Sequence, residues 1–271
     1  MIMMSLTVAE VTEILDELAP ARLAEPWDNS GLQVGCNDWP VKKIRVSLDP
    51  LPEVVSAACA QQVDLLITHH PLLFKPLHSI DFSTPVGRII LLSARHSLAV
   101  YSAHTNLDSV SGGINDQLAS RIGLNEVTVL GEEIVPGKGE GLGRVGRLID
   151  ETTLADLVSQ VKTRLNLDRV KWSGDPGLSV RRVAVCSGSG GGMMKPFFAS
   201  GAQVFITGDL RYHDGREAEA RGRGLIDIGH FGSEHWMTEV LAARIEKVLI
   251  GRGVSVTVEA CKLERDPFHF S

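Results

Sequence analysis

The sequence predicts an α/β fold of two related domains, with mixed sheets covered by helices, and three observations carry that prediction. Apolar runs of strand length alternate with segments of helical period. The stretches Lys42 to His70 and Arg181 to Asp209 match without a gap: a charged pair, a strand, a loop, a helix, and a strand closed by polar residues. Identities between them are few (Val46 with Val185, Ala60 with Ala199, Ile67 with Ile206, Thr68 with Thr207), so the match rests on length and period. The following strand ends alike in each copy, Leu98 to Ala103 running into His104-x-x-x-Asp108 and Leu225 to Gly229 into His230-x-x-x-Glu234.

In chain order, Thr7 to Leu23 carries Val8, Val11, Ile14, Leu15 and Leu18 at helical spacing, and Thr7 with Glu10 reads as a capping box. Trp27 to Gly35 is turn chemistry entering a short strand. Ile44 to Leu48 reads as a strand, Leu51 to Gln61 as a helix, and Val63 to Thr68 as a buried strand ending at His69, His70 and Pro71. Pro71 favours extended backbone at His70. Adjacent imidazoles would then face opposite ways, which suits two ions, or one ion and a substrate, better than a single ion.

Val86 to Ala94 reads as a helix, Leu98 to Ser102 as a strand and Ile114 to Ile122 as a helix. From Val127 to Leu148 the chain turns glycine-rich and strand-like, which places a domain junction near residue 125. The expected domains are 1–125 and 126–271, with the C-terminal helix placed to pack back on the first. Thr153 to Leu165 is an amphipathic helix, Val180 to Cys186 a strand and Trp236 to Val248 a helix.

The 271 residues are 44% hydrophobic and 22% charged, an ordinary globular balance with enough apolar content for two cores. No run approaches the roughly 18 apolar residues that a membrane span needs. Met1 to Ala9 lacks the basic, apolar and small-residue succession of a secretory signal, so the expected location is the cytoplasm. Cys36, Cys59, Cys186 and Cys261 are widely spaced without a CxxC and read as reduced thiols. The net charge of −6 argues against a sequence-independent nucleic-acid coat, and neither nucleic acid nor a membrane is an expected partner.

The polar groups at the strand ends are His69 and His70, His104 and Asp108, Asp209, and His230 and Glu234, at the carboxyl ends where α/β sheets build sites. Imidazoles and carboxylates without thiolates suit Zn, Mn, Fe or Co, and a carboxylate can bridge two cations. Two divalent ions so held would lower the pKa of a bridging water and supply a nucleophile at neutral pH. Each residue also has a plainer role. Asp108 can cap the turn before Gly112, Glu234 suits the start of the following helix, and His104 can orient a neighbour instead of touching metal. Asp209 fits a supporting acceptor better than a ligand. His78, His96, His213, His235 and His269 have no partner at suggestive spacing, Tyr212 and His213 being the ones expected nearest the site. The run Gly188 to Gly192 fails the dinucleotide pattern because Met193 stands where the last glycine belongs. It reads as close turn packing, or as anion contact through backbone amides.

With these pieces assembled, the chain resembles the Nif-three-like family, whose members are often labelled GTP cyclohydrolase type 2 homologues. The resemblance rests on Trp27-Asp28-Asn29-Ser30-Gly31-Leu32, Ile67-Thr68-His69-His70-Pro71, His104-Thr105-Asn106-Leu107-Asp108, Thr207-Gly208-Asp209 with Tyr212-His213, and Gly229-His230 to Glu234. It implies a two-domain α/β protomer with a dinuclear metal site in the interdomain cleft, and a homohexameric ring built from dimers. Carried over by position, the ligands would be His69, His70, Asp108, His230 and Glu234, with the carboxylates as bridges and His104 adjacent. Larger relatives carry an inserted middle domain, for which the length between Leu124 and Val180 leaves no room.

The expected function is a dinuclear metal-dependent hydrolase, acting on a small nucleotide or purine-like substrate as the resemblance implies, with a metal-bridging water or hydroxide as nucleophile and His104 as proton shuttle. Two other classes remain open: a metal-binding or metal-delivering interaction protein without turnover, and, against the acidic balance, a ring that clamps nucleic acid.

Overall fold

The computed structural model describes residues 6–269, so residues 1–5 of the Met1 to Ala9 stretch lie outside the described residues. The strands in chain order are β1 (Gly31–Val34), β2 (Lys43–Ser47), β3 (Leu65–Thr68), β4 (Ala99–Ser102), β5 (Asn125–Val129), β6 (Arg144–Thr153), β7 (Lys171–Ser173), β8 (Ser179–Ser189), β9 (Val204–Gly208), β10 (Gly224–Asp227) and β11 (Thr257–Ala260). They form a five-stranded sheet in the order β1-β4-β3-β2-β11 and a six-stranded sheet in the order β5-β6-β8-β9-β10-β7. Each sheet belongs to one compact unit, the first comprising Met1–Leu107 and His235–Ser271, the second Asp108–Glu234.

This division falls ahead of the composition change near residue 125 and the chain crosses again after Glu234. The cause is packing. Helix Ile114–Ile122 lies against β6 and β8, and β5 pairs with β6, so the chain before residue 125 already serves the second sheet. Helix Met237–Gly251 packs on β2 and β11, and β11 pairs parallel with β2, so the C-terminal chain completes the first sheet.

In the first unit, β2, β3 and β4 are parallel neighbours and β1 closes one edge antiparallel to β4. Val54, Val55 and Ala58 of helix Pro52–Ala60 pack with Leu66 and Leu98 in one core, these five side chains being fully buried. Helix Val8–Leu18 starts at the expected capping box: the Glu10 N–H donates to Thr7 Oγ1 and the Thr7 N–H to Glu10 Oε2. It stops short of Leu23 because Pro20 cannot continue the backbone ladder.

In the second unit, β8, β9 and β10 are parallel, β7 closes one edge antiparallel to β10, and β6 and β5 extend the other side. Phe197 stacks on Phe205 at 5.3 Å in its core. Arg144, 1% exposed, donates to both Asp116 carboxylate oxygens and to the carbonyls of Val110, Gly139, Gly141 and Gly143, so a buried cation is fully satisfied.

The internal repeat is present in topology and in hydrogen bonding. The triplets β4-β3-β2 and β10-β9-β8 have the same order and direction, with β1 and β7 at equivalent edges. Asp64 Oδ2 accepts the backbone N–H groups of Lys42 and Lys43, and at matching positions Gln203 Oε1 accepts those of Arg181 and Arg182. No helix among the described residues is long and apolar enough to cross a membrane.

Candidate metal centre

Three imidazoles gather at the carboxyl ends of β3 and β4 in the first unit. The Thr68 hydroxyl donates to the His70 carbonyl at 2.7 Å, and the chain bends at His69 and His70 instead of continuing as strand. That bend overturns the expectation of opposed side chains: the His69 and His70 rings lie 5.1 Å apart, and the His104 ring lies 5.1 Å from His69 and 5.7 Å from His70. One nitrogen of each lies within 4.8 Å of one nitrogen of the other two.

Each of these rings is held by its Nδ1. His69 Nδ1 meets the Ala103 carbonyl at 2.8 Å, His70 Nδ1 meets Asp49 Oδ1 at 2.7 Å, and His104 Nδ1 meets Asp28 Oδ1 at 2.7 Å. A carbonyl only accepts, so His69 Nδ1 carries the proton and Nε2 the lone pair. Burial pushes the Asp28 carboxyl up. Hydrogen bonds from His104, Thr105 and Ser30, with the His104 charge, outweigh that and hold it well below the usual carboxylate range. Asp28 is therefore an ionised acceptor that fixes His104. Asp49 is set in turn by the C-terminal tail, because Glu264 accepts the backbone N–H groups of Leu48 and Asp49.

The second unit presents carboxylates with one imidazole. Asp108 is its first residue and Glu234 its last. Asp108 Oδ1 accepts from Ser187 Oγ at 3.0 Å, while Asn115 links the Asp108 carbonyl to the Ser187 N–H. His230 and Glu234 sit one turn apart on the short helix His230–Glu234, with His230 Nε2 3.1 Å from Glu234 Oε2. His230 Nδ1 meets Asp209 Oδ2 at 2.7 Å, and Asp209 holds a left-handed backbone with φ of 57°. Asp227 accepts the N–H groups of Leu210 and Gly229, which fixes the turn into His230.

Gly188, at a φ of +62°, has its backbone against Glu234: a Cβ there would collide with Glu234 Oε1, and its N–H donates to Ser233 Oγ at 2.8 Å. Within the glycine run, Gly188 is thus packed against a candidate ligand, whereas Gly190 packs against Thr207. Burial, reinforced by the Asp108 and Glu234 charges and only partly offset by Arg144, pushes the Cys186 thiol far up, which keeps it neutral.

Among the described residues, His78, His96, His213, His235 and His269 join no metal-competent group. His213 contacts Tyr212, whose exposed ring carries Arg216. The sequence reading gave no role to Asp28 or Asp49, while close packing at Gly188 was among its readings. Asp28 stands inside the Trp27 to Leu32 motif and Asp49 directly follows a strand, which are the available signals. The donor chemistry fits a divalent cation, since ligating imidazoles characteristically bind an oxygen through the other ring nitrogen, and no thiolate competes.

Fold and donors together define an α/β protein with sister sheets and a histidine and carboxylate set competent to bind metal. The chain belongs to the Duf34/NIF3 (NGG1p interacting factor 3) family, whose model matches residues 6–267. It is 35% identical over 261 residues to a Clostridium perfringens protein named GTP cyclohydrolase 1 type 2 homolog, covering 96% of this chain and 98% of that one. Among solved structures it is similar to a Bacillus cereus protein related to NIF3 (TM-score 0.92, 24% identity, 98% of this chain and 99% of that one). It is similar also to the Staphylococcus aureus hypothetical protein SA1388 (TM-score 0.91, 28% identity, 98% and 100% covered).

Proposed function

We propose that the chain is a dinuclear metal-dependent hydrolase acting on a nucleotide or purine-like substrate. The proposed ligands to two divalent ions are His69, His70, Asp108, His230 and Glu234, the carboxylates being shared, with His104 as the proton-transfer group. The observation that supports this best is the common way the imidazoles are held: His70, His104 and His230 by carboxylates and His69 by a carbonyl, always through Nδ1. Such bonding directs Nε2 outward as the metal-binding or proton-accepting atom. Divalent ions held there would supply Lewis acidity and activate water at neutral pH. His104 is held in a fixed orientation by the ionised Asp28, which equips its Nε2 to take a proton and return it to a leaving group.

The nucleotide class rests on the names of the curated relatives. The protein is proposed to act in the cytoplasm as a homohexameric ring of dimers, which light scattering would read as six chains per particle. The decisive experiment is metal analysis of protein purified without added ions, paired with turnover on nucleotides and phosphoesters. About two ions per chain are expected in wild type, falling toward one or none in Asp108→Ala, with His69→Ala and Glu234→Ala losing metal and turnover together. Turnover retained by a variant that no longer binds metal refutes the mechanism. Full metal binding without turnover on any substrate would favour metal delivery instead.

A further inference from the structure

We infer that Trp27 and Phe74 form a receptor for a planar heteroaromatic ring of the substrate, beside His104. The inference rests on the hydrolase reading for its substrate, but the ring site itself is a property of the first unit alone. Trp27 is 57% exposed and Phe74 46% exposed, although rings of this size are normally covered. They stand edge to face with one another at 5.9 Å, and both stand edge to face with His104, at 6.2 and 6.3 Å. The three rings thus form one aromatic corner whose third member is the proposed proton-transfer group.

The corner opens on a cleft of about 720 Å³, within the size range of small-molecule sites, lined also by Leu77, His78, Ser79 and Ile80. Leu77 and Ile80 are themselves 45% and 57% exposed, so the wall is apolar and solvent-facing, with the His78 and Ser79 side chains as polar groups able to read a ring edge. The two aromatic residues come from segments that are tied together. Asn29 Nδ2 donates to the Leu73 carbonyl at 2.6 Å, and the Leu73 N–H donates to Gln33 Oε1 at 3.2 Å. Trp27 also precedes Asp28, whose carboxylate fixes His104. The indole and the imidazole are therefore positioned by the same turn.

A metal ion alone has no use for this wall, and an aliphatic chain would gain burial there but no stacking on the exposed indole. Stacking against aromatic side chains is favourable for any heteroaromatic base and tolerant of its identity. A ring seated at Trp27 and Phe74 lies beside His104, where the chemistry is proposed.

The test is ring binding by protein held in chelator, read by tryptophan fluorescence and calorimetry with GTP, ATP and riboflavin 5′-phosphate, and with tripolyphosphate as the ringless control. Ring compounds are expected to quench a fluorescence component that Trp27→Phe removes, while tripolyphosphate leaves it unchanged. Trp27→Ala and Phe74→Ala should each weaken ring binding by about 5- to 100-fold, with zinc affinity within about twofold of wild type. Because zinc is absent from the ring assay, loss of the metal mechanism would not by itself remove the signal. The inference is overturned if no ring compound quenches Trp27, if the alanine variants bind rings as wild type does, or if those variants only change the oligomeric state, which would make the corner an interface between copies.

Discussion

Replacing Gly188 by alanine asks whether the loop after β8 is shaped around the Glu234 carboxylate. At a φ of +62° an added Cβ incurs about 1–2 kcal/mol of backbone strain. The same Cβ would strike Glu234 Oε1 and stand 3.4 Å from His230 Nε2. Glu234 is 2% exposed, and its neighbour Ser233 accepts the Gly188 N–H, so the carboxylate has little room to retreat. Overpacking of this kind adds about 1–3 kcal/mol. The expected destabilisation is the sum, about 2–5 kcal/mol, with zinc affinity lowered about 10- to 100-fold through the displaced glutamate.

Gly192, in the same run, has no atom within 4 Å of an added Cβ and no positive φ, so Gly192→Ala should stay within about 0.5 kcal/mol of wild type. Gly188→Asn separates the two contributions, because asparagine tolerates left-handed backbone but keeps the collision. Urea denaturation in chelator followed by zinc calorimetry reads all three variants. If Gly188→Ala matches Gly192→Ala in both midpoint and zinc affinity, the loop is not built around Glu234.

Arg144→Met should cost about 3–5 kcal/mol in urea denaturation, because it strips Asp116 and a ring of buried carbonyls of their donor; a loss below about 1 kcal/mol would contradict the buried-cation account. Two glutamates should titrate with opposite sign. Burial raises Glu264, only partly offset by the Asp49 and Leu48 N–H groups, so its favourable contribution is present below the ordinary glutamate value and lost as pH rises through the raised one. Glu264→Gln should gain on wild type as pH rises above the ordinary glutamate value. At Glu259 burial is outweighed by Arg45 and Lys43 and the carboxyl is lowered, so its contribution is present above the ordinary value and lost as pH falls. Glu259→Gln should be the weaker protein at neutral pH and converge on wild type as pH falls through the lowered value; parallel pH profiles for the two variants would show the assignments to be mistaken. Asp209→Asn keeps an acceptor and the left-handed tolerance, whereas Asp209→Ala loses both, so zinc should bind about 10- to 100-fold more weakly to the alanine variant than to the asparagine one.

Much of the fold was legible because strand and helix periods are local. Thr7 and Glu10 announced the first helix, and the matched stretches from Lys42 and Arg181 announced two like triplets of strands. The first unit boundary was not, since composition changes near residue 125 whereas packing divides the chain at Leu107; the return of the C-terminal helix to the first unit was expected and is present. β7 and β11, of three and four residues, were not read as strands. The histidines and acids were readable as residue types at strand ends. Their supports were not: Asp28 reaches His104 across the fold, and Glu264 steadies Asp49 from the far end of the chain, contacts that leave no spacing in the sequence.

β11 joins β2 only after the whole of Asp108–Glu234 has intervened. On the ribosome, β2, whose Ile44 and Val46 end fully buried, must wait as an open border until residues 257–260 emerge, while the strands of the second sheet are already all available. A nascent chain halted late would thus release a finished second unit joined to an unfinished first one, with a sticky rim exposed. Truncation near the C-terminus should therefore injure the N-terminal half most, and solubility, not secondary structure content, would be the first property to fail.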